Sequence, residues 1–198
     1  MPPPERLLVA LLAAGRSRRF GAADKLVAPL AGRPLLHWAA EAGHGQNAAQ
    51  HVVVTAPDCP QQILPQGYAH LVNGEAETGL SASLRLAAQH ARTMEADALL
   101  VLLGDMPLVT AAHLGRLVAA FDPARPVFSR PPGGPAQPPA LFPAALFPAL
   151  ETRLGDSGAR GLSADALLVE APAAMLMDVD IPADLARCEQ ALEKPLFP

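Results

Sequence analysis

Aromatic residues make up only 4% of this 198-residue chain, charged residues 17%, and cysteine occurs twice, as Cys59 and Cys188. Each scarcity removes a class of explanation. Two distant cysteines without metal-ligand spacing exclude a disulfide framework and a zinc site, and reduced thiols are expected. No apolar run approaches bilayer-spanning length, and the one near the N-terminus is too short for a signal-peptide core, so no membrane partner and a cytoplasmic location are expected. The formal net charge of −4 leaves no global basic footprint, which argues against nucleic acid as a partner. Two phosphate-binding motifs are also missing. Ala22 follows Gly21 where a Walker A loop needs Lys-Ser/Thr, and Gly-x-Gly-x-x-Gly does not occur.

What is present is a chain that is 51% hydrophobic, long enough to bury a core as one domain over residues 1–198. Leu7 to Leu12 is a continuous apolar run suited to a central strand of a parallel sheet. Val52 to Thr55 and Asp97 to Leu103 are further strand candidates, Ala69 to Val72 a weaker one, and Leu176 to Asp180 is expected to be the last strand. Helical spacing follows Pro34, Gly79, Thr110 and Pro182. Strands alternating with helices predict a three-layer α/β fold with a mostly parallel sheet. Proline is abundant, at 22 residues, and concentrated between Pro123 and Pro148. The Arg130 to Pro139 stretch is therefore expected to be a loop, not a central strand.

Three stretches carry chemistry. After the first apolar run the chain turns through small and basic residues, with Gly15 and Gly21 beside Arg16, Arg18, Arg19 and Lys25. Successive backbone N–H groups in such a turn form an anion-binding concavity, though an ordinary loop has the same composition. The second stretch is Asn73 to Arg85, where Gly79 precedes a helix start rich in small hydroxyl residues, including Ser83. A helix N-terminus holds anionic or polar ligand groups, and plain capping is the alternative. The third is Asp105, at the end of an apolar strand, where open α/β sheets bind ligands. Mg²⁺ is held by one or two carboxylates together with substrate phosphates, so Asp105 is enough to begin a metal site; a turn aspartate is the alternative. Strand alternation over 176–180 would put Asp178 and Asp180 on one face.

Ala13-Ala14-Gly15-Arg16-Ser17-Arg18-Arg19-Phe20-Gly21, followed by Lys25-Leu26, resembles the nucleotide signature of the MobA-like nucleotidyltransferases, and of the molybdenum cofactor cytidylyltransferases in particular. Asp105-Met106-Pro107 resembles the family's metal motif. Asn73 with Gly79 and Ser83 resembles its base- and ribose-contacting segment. Gly155-Asp156-Ser157-Gly158-Ala159-Arg160 resembles a segment of the cytidylyltransferase branch.

The resemblance covers nearly the whole chain and implies a Rossmann-like domain that transfers CMP from CTP to the molybdopterin (molybdenum) cofactor, releasing pyrophosphate. It implies base and phosphate contacts from Leu12, Ala13, Ala14 and Gly15, and triphosphate contacts from Arg19 and Lys25. Mg²⁺ would be held by Asp105 and Asp180, with Asp178 as the fallback, and a client molybdoenzyme would receive the product. The alternatives are a guanylyltransferase, another NTP-dependent transferase with a different phosphorylated acceptor, or a non-catalytic chaperone holding nucleotide or cofactor. Two departures stand out. Gln137-Pro138-Pro139 occupies the place of a Gly-His-Pro, and Ile181 that of a capping Thr before Pro182. The second should cost about 0.5–2 kcal/mol of helix support.

Overall fold

A computed structural model of the chain describes residues 3–15, 20, 24–152 and 159–193. In chain order its elements are β1 (Leu7–Ala13), a short ribbon β2 (Pro29–Leu30) and β3 (Arg33–Pro34), α1 (Leu35–His44), β4 (Gln50–Thr55), β5 (Ala69–Val72), α2 (Leu80–Thr93), β6 (Ala98–Leu103), α3 (Ala111–Ala119), β7 (Val127–Arg130), β8 (Gln137–Pro143), α4 (Phe147–Glu151), β9 (Leu167–Glu170) and α5 (Pro182–Glu193). The main sheet has seven strands in the order β5-β4-β1-β6-β8-β7-β9. Only the contacts of β8 are antiparallel; β1 pairs in parallel with both β4 and β6. This is the expected three-layer α/β architecture.

β1 is buried along its whole length because it is covered on both faces. Leu7, Val9, Leu11 and Ala13 pack with Leu36 and Ala40 of α1 and Leu114 and Leu117 of α3. Leu8, Ala10 and Leu12 pack on the other side with Leu84, Ala87 and Ala91 of α2 and Phe147 and Leu150 of α4. Period-two alternation thus sends successive β1 side chains into two cores. A third cluster, Leu30, Leu35, Leu108, Val179 and Cys188, joins the ribbon, α1 and α5 beside the carboxyl edge of the sheet.

Two expectations are corrected. The loop expected over Arg130 to Pro139 is confined to 131–136: Arg130 ends β7, and Gln137 to Pro139 open strand β8, which lies between β6 and β7 with Ala140, Leu141 and Phe142 buried. Its prolines are tolerated by position. β6 pairs from Ala98↔Pro143 to Val101↔Ala140 and stops there, while β7 shifts register between Phe128 and Ser129, so Pro138 and Pro139 fall past one ladder and against the bulge of the other. Conversely, Leu176–Asp180 is not a strand. Its backbone is engaged in turns, Leu176 N to Ala173 O and Met177 N to Ala174 O, and Val179 N donates to Asp105 O at 2.9 Å. Its apolar residues reflect packing, with Leu176 in one cluster and Val179 in another. The edge strand is instead β9, parallel to β7.

A buried polar chain fixes the bulged end of β8. Arg116 donates to His113 Nδ1 at 2.9 Å, so Nε2 carries the hydrogen and donates to Ser129 Oγ at 2.7 Å. Ser129 Oγ in turn donates to the Pro139 carbonyl at 2.8 Å. His113 is 1% exposed, and burial, aided by Arg116, pushes its pKa down to about 4. At the start of α5, the Asp184 carboxylate reaches back to accept from Asp180 N at 3.1 Å and Ile181 N at 3.0 Å. This is the N3 half of a capping box, and it serves the helix start where Ile181 has no capping oxygen.

Two outcomes are expected. Asp184→Ala should lower stability by about 1 kcal/mol, the usual cost of a lost cap, read as a shift of the urea midpoint. For His113, the folded pKa lies below the unfolded value of about 6.5. As pH falls below that value the unfolded chain gains a proton that the folded chain refuses, so stability drops between pH 6.5 and about 4. His113→Gln should remove about 1–2 kcal/mol of the stability difference between pH 7 and pH 5. Equal pH losses in both proteins would contradict this.

Candidate active site

The candidate site lies where the sheet's connectivity reverses. β1 is followed by β4 on one side and flanked by β6 on the other, and ligands of open α/β sheets bind outside the carboxyl ends of strands at such a switch point. Leu12, Ala13 and Ala14 are buried at the end of β1, and Gly15 emerges into solvent. Among the described residues, a Cβ on Gly15 would meet no atom within 4 Å. Gly104 closes the neighbouring strand onto it. Its N–H donates to Leu12 O at 2.9 Å, and a Cβ there would stand 2.8 Å from Leu36 Cδ1 and 3.4 Å from Ala13 Cβ. Glycine at this position lets the next residue, Asp105, sit beside the β1 turn.

Lys25 extends from a turn held by Asp24, whose Oδ1 accepts from Leu26 N at 3.0 Å. Only 8% exposed, its ammonium donates to Asp105 Oδ2 at 2.7 Å and to Asp180 Oδ1 at 3.2 Å. Burial alone would lower the Lys25 pKa, but the two carboxylates outweigh it and hold it above the usual lysine value. Burial pushes the Asp105 carboxyl up, with Lys25 opposing and the charge of Asp178 adding. The other Asp105 oxygen, Oδ1, is buried without a hydrogen-bond partner. An unpaired buried carboxylate oxygen is costly unless a cation or donor satisfies it.

The expected metal carboxylates therefore converge with Lys25, although they do so without the strand whose alternation suggested it. Asp180 makes the contact, and Asp178 is exposed. Among the described residues no group of three His, Cys, Asp or Glu side chains is placed to hold a metal, so the protein would supply two carboxylates. That number suits a hard cation completed by phosphate oxygens. Arg19, Arg16, Arg18, Gly21 and the segment 153–158 lie outside the described residues.

Asn73, Gly79 and Ser83 come together as a second group. Asn73 Nδ2 donates to Ser83 Oγ at 3.0 Å, and its Oδ1 accepts from Glu75 N at 2.9 Å. Both side chains are buried, so they brace the loop that leads into α2. Gly79 adopts φ +102°, ψ −175°, a conformation open essentially to glycine alone, and so starts α2 where β5 has reached the carboxyl edge. Sequence reasoning assigned no role to Gly104 or to the backbone grip of Asp184 on Asp180. A glycine directly before a strand-end aspartate was the available signal for the first.

A model of the MobA-like NTP transferase domain matches residues 9–173. The purine catabolism protein PucB of Bacillus subtilis is 29% identical over 202 residues, covering 94% of this chain and 97% of that protein. A molybdenum cofactor guanylyltransferase of Cereibacter sphaeroides is 31% identical over 198 residues, covering 96% and 98%. Among solved structures, a nucleotidyl transferase from Methanothermobacter thermautotroptrophicus superposes with a TM-score of 0.80 at 20% identity, covering 96% of this chain and 98% of that one. The family match runs from Val9 within β1 to Ala173 beyond β9 and so takes in part or all of every strand of the main sheet; the chain belongs to the MobA-like family of nucleotidyltransferases.

Proposed function

We propose that the protein transfers CMP from CTP to the phosphate of a molybdopterin-type cofactor, releasing pyrophosphate, and that the product passes to a client molybdoenzyme. The observation that carries the nucleotidyl-transfer reading is the Lys25 ammonium clamped between Asp105 and Asp180, with Asp105 Oδ1 left unpaired at the mouth of the β1 turn. The molybdopterin acceptor is supported by the Cereibacter relative's name, and CTP by the resemblance of Arg19-Phe20-Gly21 and Gly155 to Arg160 to the cytidylyltransferase branch. The same relative's name makes GTP the competing donor.

An acceptor phosphate is anionic at neutral pH and needs no strong base, so the protein's task is alignment and charge neutralisation. The Leu12 to Gly15 turn would take base and phosphate contacts, while Lys25 and Arg19 would face the triphosphate. Asn73, Gly79 and Ser83 would set the wall against base and ribose. Asp105 and Asp180 would hold Mg²⁺, which would supply positive charge to offset the charge developing on the phosphates. The orphaned Asp105 oxygen fits that role.

The test is incubation with each NTP, Mg²⁺ and molybdenum-loaded molybdopterin, following pyrophosphate. Release with CTP is expected. Release with GTP alone would reject CTP, and tight nucleotide binding without product for any NTP would favour the non-catalytic holder. Asp105→Asn should lower turnover on the order of 100-fold or more while the protein stays folded by circular dichroism. Near-normal rates in that variant would remove Asp105 from the chemistry.

A further inference from the structure

Asp180 belongs to no regular strand, yet it stands 3.2 Å from Lys25, so something else must fix the 172–181 segment. Two ties are already described, Val179 N to Asp105 O and Asp180 N to Asp184 Oδ2. A third comes from the start of β8. Gln137 Nε2 donates to the Leu176 carbonyl at 3.0 Å, across 39 residues of sequence. Leu176 is itself 3% exposed and packed in the main core.

Gln137 is in turn held from below. It opposes Ser129 in the β7–β8 ladder, at the bulge, and Ser129 Oγ grips the Pro139 carbonyl two residues along while accepting from His113. The start of β8 is thus fixed in the sheet, and its first side chain carries that position across to Leu176. Glycine at 137 would lack the amide. A donor on a flexible segment would not define a position; one on a strand end braced by a buried histidine does.

We propose that Gln137 is a positioning residue for the site: through the Leu176 carbonyl it sets where Asp180 stands against Lys25 and Asp105. The proposal rests on the assignment of Asp180 to the metal, and its test separates the two. Gln137→Met keeps length and bulk but removes the donor. In ¹⁵N–¹H spectra of the metal-free protein, this variant should move the amide resonances of Val179, Asp180 and Ile181, while those of Leu99 and Leu100 in β6 stay in place. Titration with Mn²⁺ alone, followed by the free-ion paramagnetic resonance signal, should show binding weakened about five- to tenfold in Gln137→Met. The Gln137→Met/Asp180→Asn double variant should bind no more weakly than Asp180→Asn, since the first residue acts through the second. Unmoved resonances at 179–181, or losses that multiply in the double variant, would overturn the positioning role. Wild-type protein that takes up no Mn²⁺ would overturn the metal assignment instead, with the resonance shifts still deciding for or against Gln137.

Discussion

The contact on which the rest of the site depends is the one between the Lys25 ammonium and the carboxylates of Asp105 and Asp180. A lysine only 8% exposed is tolerable because its charge is matched at 2.7 and 3.2 Å by groups 80 and 155 residues away. Three distant parts of the chain therefore have to arrive together. β6 delivers Asp105 beside the end of β1, with Gly104 allowing the approach, while Lys25 comes from a turn whose Leu26 carbonyl accepts from Leu36 N in α1. The third arrives by loop, held through Val179 and α5 against a small apolar cluster that also includes Leu30 and Leu35 from the ribbon and the first turn of α1. The hydrophobic contacts set the frame, and the ion pair sets the register of its edge.

Among the described residues of that edge, carboxylates outnumber the ammonium of Lys25. One ammonium faces Asp105 and Asp180, with Asp178 close enough to raise the Asp105 carboxyl further. A triphosphate brought to this place would meet net negative charge from these groups alone. The unpaired Asp105 oxygen is a place where a cation would offset that charge.

Much of this was legible in the sequence where one local signal had one physical cause. β1, β4, β6 and α2 follow from apolar runs and periodicity, Asp105 from the end of β6, and Lys25 and Asp180 from the family pattern. The failures came where tertiary context replaced the local rule. Leu176–Asp180 has the alternation of a strand, but its buried residues serve two separate clusters and its backbone is committed to turns. β9, with alternating half-exposed and exposed residues at the sheet edge, gives a weaker apolar signal than the segment that is not a strand. Gln137 to Pro139, at the end of the Arg130 to Pro139 stretch, reads as loop because proline removes donors, a rule that holds inside a ladder. It fails here because the ladder has already ended on one side and bulges on the other.

That misread strand also explains how the two halves of the edge are built. The β5-β4-β1-β6 half is parallel, so each strand ends at the carboxyl edge and the chain must cross back before the next one, through α1 after β1 and α2 after β5. β7 pairs in parallel with β9 and antiparallel with β8, while β8 is antiparallel to β6; β7 therefore runs with β6 and ends at the same edge as Asp105. Because β8 returns antiparallel, it begins at that edge as well, and the whole 131–136 connection lies there without a helical crossover. A parallel β8 would have begun at the opposite edge, taking Gln137 away from Leu176 and leaving the Asp180 segment with one tie fewer. The reversal of a single strand is thus what lets a proline-rich hairpin share an edge with the lysine and its carboxylates.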